Sequence, residues 1–177
     1  FTTTTDSYNT AVGYEAGAAL TTGVQNTLIG SRAGDALIDA DHNVAVGLNA
    51  LGADTYGSKS TALGTGTLGT QNFTTATDAY NVAVGYDAGV AVTTGTANTL
   101  IGGLAGDALT TGLYNVAVGK EALSSEDAHG KNVAIGLQAL KTLNAGADGY
   151  NTAVGFEAGE AMTTGIRNTL IGSNAGD

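Results

Sequence analysis

The chain is built on a 17-residue repeat, and this period limits its fold more than any other feature. A pentad of the form Asn-Thr/Val-Ala/Leu-Val/Ile-Gly recurs along it, and seven of the nine steps between successive copies have the same length. The steps from Ser60 to Asn81 and from Asn132 to Asn151 are longer. A unit of this length is too short for a pair of helices and fits one turn of a β-solenoid. The pentads begin at Asn9, Asn26, Asn43, Ser60, Asn81, Asn98, Asn115, Asn132, Asn151 and Asn168.

The coils themselves repeat with a longer period. The coils that open at Asn9, Asn81 and Asn151 resemble one another most, so four coils make one super-repeat. The sequence therefore predicts an all-β fold, a parallel β-solenoid of about ten coils that occupies 9–177 as a single array. Residues 1–8 are predicted to be the end of a preceding coil, and the chain to be a slice of a longer fibre.

The pentad predicts the local structure of each coil, in which we count the Asn as position one. Small and β-branched residues alternate through it, which favours a strand. Gly at position five of all ten copies implies a positive φ or a backbone approach too close for a side chain. Asn at position one can stack on the Asn residues above and below it as an amide ladder. Because Asn also tolerates the left-handed conformation, we expect ladder and turn to use the same residue.

Position three is apolar in every coil, although strand alternation separates it from positions two and four. The residues at positions two and four fit the interior of a thin coil, so we expect position three to point outward. A strand that is apolar on both faces is normally buried on both. This stripe is therefore predicted to meet the same stripe of another copy around a symmetry axis, although a monomer with a small-residue surface stays open. The stripe consists of Ala11, Leu28, Ala45, Ala62, Ala83, Leu100, Ala117, Ala134, Ala153 and Leu170.

Composition excludes several classes of function. Six Lys and Arg against sixteen Asp and Glu, with a net charge of −10, argue against nucleic acid as a partner. No run of 18 apolar residues is present, so membrane insertion is not expected. Without Cys, thiolate metal sites and disulfides are excluded. We expect no catalytic residues and no cofactor, and the chain is not predicted to be an enzyme.

Three sequence patterns resemble parts of metal, catalytic or nucleotide-binding sites, and each lacks residues that such a site requires. Asp39 and Asp41 are spaced like the first ligands of a calcium loop. The Gly that such a loop requires at its sixth place is replaced by Val44, and the closing Glu is missing. We therefore expect a solvated turn, with Asp39 and Asp41 as weak metal candidates. His42 and His129 lie on different coils without a nucleophile arrangement. The segment 64–69 spells a dinucleotide fingerprint, but no helix signal follows it.

Several pentads resemble the repeats of known fibre proteins. Segments 81–89 (NVAVGYDAG), 132–140 (NVAIGLQAL) and 151–159 (NTAVGFEAG) resemble the Asn-Ser-Val-Ala-Ile-Gly repeats of trimeric autotransporter adhesin heads (YadA-like, Hep/Hag-type). They are more similar still to repeats of phage tail-fibre proteins. The resemblance implies a left-handed parallel β-roll and a homotrimer. The adhesin repeats are shorter, so the additional Thr-Thr-Gly half-coil here favours the phage group.

On this resemblance we expect a structural segment of a trimeric extracellular fibre, a phage tail-fibre shaft involved in host attachment, on the virion or the cell surface. The alternative is a bacterial surface adhesin or extracellular filament. A more remote alternative is a monomeric ice-binding solenoid, which the abundant Thr suggests but Val residues at position two interrupt. Insertions near Asn72 and Asn144 lie four coils apart, so they should emerge on one side of the rod. Such loops either act as spacers or bind a host-surface glycan or protein.

Overall fold

The computed structural model of the chain describes residues 6–177, which wind into a solenoid of stacked coils. One three-residue strand from each coil contributes to a ten-stranded sheet in which every pairing is parallel. A two-stranded parallel sheet joins β4 (Gly57–Ser58) to β6 (Thr77–Asp78). The predicted all-β parallel β-solenoid of about ten coils is confirmed. The ten strands of the main sheet are β1 (Thr10–Val12), β2 (Thr27–Ile29), β3 (Val44–Val46), β5 (Thr61–Leu63), β7 (Val82–Val84), β8 (Thr99–Ile101), β9 (Val116–Val118), β10 (Val133–Ile135), β11 (Thr152–Val154) and β12 (Thr169–Ile171).

Neighbouring strands pair position for position, in regular and long coils alike. Thr27 pairs with Val44 across a coil of regular length, and Thr61 pairs with Val82 across the longest coil. The insertions therefore lie outside the main sheet and leave its register unchanged. Residues 6–177 contain no helix of the length and apolar character needed to cross a membrane. Most of the segment 1–8, predicted to end a preceding coil, lies outside the described residues.

Glycine at position five ends every strand of the main sheet. All ten of these glycines have φ between 130° and 148°, a region that residues with a Cβ avoid. A Cβ on Gly85 would also lie 2.7 Å from the carbonyl oxygen of Gly102 in the next coil. The prediction of a positive φ or a close backbone approach is confirmed, because both conditions occur together.

The prediction for the two faces of the sheet is wrong, because position three points into the coil. From the second coil to the ninth the stripe is fully buried within the single chain. In the terminal coils, Ala11 is exposed and Leu170 is half-buried. Position one bonds inside the coil through its Asn, and alternation places position three on the same side. The residues expected to face a partner, and found in the interior of the rod, are Leu28, Ala45, Ala62, Ala83, Leu100, Ala117, Ala134 and Ala153.

Side chains at positions three and nine fill the interior together, and where one of the two is large the other is small. Where position three is Leu28, position nine is Gly34 in the same coil and Gly17 in the coil before it, and a Cβ on either would lie 2.8 Å from a Leu28 methyl group. Where position three is Ala45, position nine is Leu51, which is fully buried. Coils one, five and nine have Ala at position three and Gly at position nine. Each precedes a coil with Leu at position three, and that Leu extends into the space beside the Gly. This exchange keeps the thin interior densely packed, as a protein core requires.

The Asn side chains at position one form the predicted ladder, inside the coils. Asn98 Oδ1 accepts a hydrogen bond from the Asn115 backbone N–H of the next coil at 3.0 Å, and Asn98 Nδ2 donates to the Gly112 carbonyl at 2.9 Å. Each amide thus ties its strand to the next coil and to the far turn of its own coil. The left-handed conformation, however, belongs to the residue before each Asn, as at Tyr114 with φ of 60°. The expectation that ladder and turn share one residue is wrong.

Candidate interaction face

The outward side of the ten-stranded sheet is a uniform surface along the whole rod. Its side chains stand at positions two and four, which alternation turns away from the interior. All are Thr, Val, Ile or Leu. Within the rod they are shielded by neighbours in adjacent coils, so that Ile101 is 38% exposed. The outer face consists of Thr10, Val12, Thr27, Ile29, Val44, Val46, Thr61, Leu63, Val82, Val84, Thr99, Ile101, Val116, Val118, Val133, Ile135, Thr152, Val154, Thr169 and Ile171.

Exposed aromatic and aliphatic side chains flank the outer face at both ends of its strands. One flank is the residue before each Asn, and the other is position six, just after each Gly. Apart from Ile166, every large exposed hydrophobic residue in the described part of the chain belongs to the outer face or to these flanks. The flanking members are Tyr8, Tyr80, Tyr114 and Tyr150 on one side and Tyr14, Leu48, Tyr86, Leu137 and Phe156 on the other.

The pentads and the residue that follows each of them carry almost no charge. Positions one to six of the ten coils contain no Asp or Glu, and Lys120 is their single charged residue. All sixteen acidic residues stand elsewhere in the coils or in the segment before them. Depletion of charge together with enrichment in aromatic residues is typical of the core of a protein–protein interface. The outer face can therefore make apolar contacts with another protein surface, whereas the flank before each Asn carries Lys59, Lys131 and Arg167 beside its tyrosines.

A buried acid holds the long fourth coil. Asp54 stands at position twelve, where several other coils carry Leu, and is fully buried. Its Oδ1 accepts hydrogen bonds from the N–H groups of Gly57 and Phe73, both at 3.0 Å, and its Oδ2 accepts one from Gln71 Nε2 at 2.6 Å. Gln71 also donates to the Ser60 hydroxyl at 3.2 Å, at the step where the ladder lacks an amide. Burial raises the pKa of Asp54, although these hydrogen bonds oppose the shift.

Glu126 has the same role for the long eighth coil, four coils further on. It is fully buried and accepts hydrogen bonds from the N–H groups of His129 at 3.3 Å and Ala145 at 3.2 Å. Ligand atoms of Glu126, Asp127 and His129 lie within 4.8 Å of one another, the one such group of three found in residues 6–177. His129 is the one member of this group that the sequence motifs singled out, and they did not indicate a metal site there. The position of Glu126, at the same place as Asp54 in the next super-repeat, is the signal that locates the buried acid.

Each long coil also carries an ion pair at its end. Lys59 Nζ lies 2.5 Å from Asp78 Oδ2 and 5.2 Å from the centre of the Tyr80 ring. The hydrogen bond from Lys59 lowers the pKa of Asp78. The equivalent pair recurs four coils later between Lys131 and Asp148, also at 2.5 Å. These contacts close the inserted segments against the preceding coil, and residues 74–76 of the first insertion remain exposed.

The remaining sequence candidates contact neighbouring coils. Asp39 accepts a hydrogen bond from the Thr22 hydroxyl at 2.6 Å, and Asp41 accepts one from the Val24 N–H at 2.8 Å. Both bonds reach back to the preceding coil, so these carboxylates join two coils. In the segment 64–69, strand β5 precedes the glycines but turns follow them, so the helix that a dinucleotide site requires is missing.

No pocket opens on the described residues, and all of their large exposed hydrophobic side chains except Ile166 lie on the outer face or its flanks. No protein-family model, curated protein or solved structure matches the chain.

Proposed function

We propose that the chain is a structural segment of a homotrimeric extracellular fibre, the shaft of a phage tail fibre that takes part in host attachment. The observation that carries the proposal is the outer face, which consists only of Thr, Val, Ile and Leu and is free of acidic residues through all ten coils. One side of each strand already forms the interior of the rod. A strand with two apolar sides is normally covered on both, and other copies of the chain supply the second cover.

The size of the outer face suits such an interface. Ten strands about 4.8 Å apart extend over roughly 45 Å, and the stretch from one flank to the other spans about 20 Å. Their product is about 900 Å² per chain, which a trimer divides between two neighbours, so that three chains together cover roughly 2,700 Å². No acidic residue stands on the strands themselves, and three chains of charge −10 give a fibre of −30 that repels its neighbours.

The resemblance to the repeats of adhesin heads supports an alternative setting for the same rod. In a bacterial surface adhesin or extracellular filament the trimer and its interface are unchanged, and the rod itself touches the host. The adjoining parts of the gene distinguish the two settings: an intramolecular chaperone favours the tail fibre, and a membrane anchor favours the adhesin.

One observation favours a second function, ice binding by a monomer. Position two points outward, so six Thr residues stand on the outer face in the register of a regular sheet. Val at the same position in four other coils interrupts this array. A monomer that shows thermal hysteresis would support ice binding, and a trimer would cover the Thr residues.

The mass in solution tests the proposal. Light scattering after size exclusion of residues 1–177 should give three times the mass of the chain, which is 17.4 kDa. Ile101→Asp places a charge on the outer face and should give monomers of unchanged circular dichroism. Thr111→Asp, in an exposed turn away from that face, is the matched control and should remain trimeric. A monomeric wild type, or an Ile101→Asp variant that assembles normally, would overturn the proposal.

A further inference from the structure

Three side chains that can bind a metal ion lie together in the turn of coil seven, beside the second insertion. Glu126, Asp127 and His129 occupy positions twelve, thirteen and fifteen, and their ligand atoms lie within 4.8 Å of one another. Glu126 is fully buried, Asp127 is exposed, and the His129 side chain is 30% exposed. The group therefore extends from the interior of the rod to its surface.

Glu126 has weaker partners than Asp54, its counterpart four coils earlier. Asp54 accepts three hydrogen bonds of 3.0 Å or less, one of them from the Gln71 side chain. In coil eight the place of Gln71 is taken by Leu143, and Glu126 accepts two backbone N–H bonds of 3.2 and 3.3 Å from the described residues. None of the ion pairs in residues 6–177 joins Glu126 to a Lys or Arg. Because a buried carboxylate needs hydrogen bonds or an opposite charge, a positive group beside Glu126 would stabilise it.

The imidazole of His129 gives an independent indication of a bound ion. Its Nδ1 atom is buried and has no hydrogen-bond partner within residues 6–177. Nδ1 lies 3.4 Å from Glu126 Oε1, which is longer than an ordinary N–H···O hydrogen bond. The same separation suits two ligands of one zinc ion, because tetrahedral bonds of about 2.1 Å place neighbouring ligand atoms roughly 3.4 Å apart.

The residue types of the group depart from the repeat. Position fifteen is Gly or Ala in every other coil of regular length that reaches it, and His129 is the exception. Position thirteen is Thr in most of those coils and Asp127 in coil seven. The fold therefore does not require a ligand side chain at either position, and coil seven has both of them next to a buried acid.

We propose that Glu126, Asp127 and His129 form a zinc site. One imidazole nitrogen and two carboxylates are a donor set that Zn²⁺ accepts, whereas Ca²⁺ takes oxygen ligands. Three protein ligands leave the fourth tetrahedral position to water, which reaches the group at the exposed Asp127. The ion balances the two carboxylates, and it stabilises the inserted segment because Glu126 also accepts the Ala145 N–H bond. The site lies within one chain, so the proposal does not depend on the trimer.

Titration of the full chain with Zn²⁺ tests the site. Isothermal titration calorimetry should give one ion per chain, and His129→Ala and Asp127→Thr should each weaken binding at least about tenfold. Both variants copy residues that other regular coils carry at the same position, so the fold accommodates them. His42→Ala removes the other histidine of the chain and is the matched control, which should bind as wild type does.

Nitrogen NMR of the two imidazole rings identifies the ligand atom. Zn²⁺ should shift the Nδ1 signal of His129 and leave His42 unchanged, and Ca²⁺ at the same concentration should shift neither. Zn²⁺ should also raise the melting temperature of wild type and leave that of His129→Ala unchanged.

Two results would overturn the zinc site. In one, Zn²⁺ binds at His42 or binds equally well to His129→Ala. In the other, Zn²⁺ leaves the His129 ring unperturbed, and His129 and Glu126 are then a simple ion pair. Neither result affects the proposed fibre function, which rests on the outer face.

Discussion

The reversal of the two sheet faces can be tested at Leu100. Leu100→Ala removes three carbon atoms from a fully buried site, which costs about 2.4 kcal/mol at roughly 0.8 kcal/mol per carbon. The site cannot collapse around the smaller residue, because its neighbours at position nine are Gly89 and Gly106, which have no side chain to offer. With the resulting cavity the total loss should reach about 3 to 5 kcal/mol. Urea unfolding followed by circular dichroism measures it as a fall in the midpoint.

A matched rescue shows whether the loss comes from the interior. In coil seven, Ala117 at position three is combined with Leu123 at position nine, and the φ of Leu123, 55°, is close to the 57° of Gly106. The double variant Leu100→Ala/Gly106→Leu should therefore regain part of the lost stability. Gly106→Leu alone should destabilise the protein, because its Cβ would lie 2.8 Å from a Leu100 methyl group. If Leu100→Ala instead disperses the proposed trimer and leaves the midpoint unchanged, position three faces a partner and the assignment of the faces is refuted.

Three further predictions concern the ladder and the dependence of stability on pH. Asn115→Ala leaves the Asn132 N–H and the His129 carbonyl without their side-chain partner, and should cost about 2 to 3 kcal/mol in urea unfolding, whereas Thr111→Ala should cost almost nothing. Burial raises the pKa of Asp54 above its ordinary 3.8, so wild type should gain stability relative to Asp54→Asn as pH falls through the raised pKa towards 3.8. Glu121 should behave in the opposite way: hydrogen bonds from Lys120, then Lys141 and Gln138, lower its pKa to about 2. Stability from Glu121 is therefore present above pH 4.5 and lost towards pH 2, and urea midpoints of Glu121→Gln should fall less steeply there than those of wild type.

Much of the fold follows from local rules that act within one coil. The repeat period, the strand in each pentad and the role of Gly at position five each depend on neighbouring residues, and all agree with the structure. The Asn ladder was predictable for the same reason, because it repeats one residue at one position. What failed was the choice between two faces of the strand. Alternation separates positions one and three from positions two and four, but it does not say which pair is inside.

The sequence does contain the information that decides between the faces, at longer range. Leu28 occurs at position three where position nine is Gly34, and Ala45 occurs there where position nine is Leu51. Such compensation shows that positions three and nine share one interior. The buried acids were missed for a related reason: they resemble solvated residues until each is placed at position twelve, in the coil before a long coil.

The two insertions of the solenoid lie away from the outer face and leave the main sheet regular. The insertions begin at position twelve, opposite the strands, and a buried acid on one side and a Lys–Asp pair on the other hold them against the preceding coil. Because the added length is absorbed there, Thr61 still pairs with Val82 across the longest coil, in the register that regular coils show. Hydrogen bonds to Asp54 and Glu126 offset the cost of burying the two carboxylates, and the added length stays on the side away from the strands, where it leaves the register of the sheet unchanged.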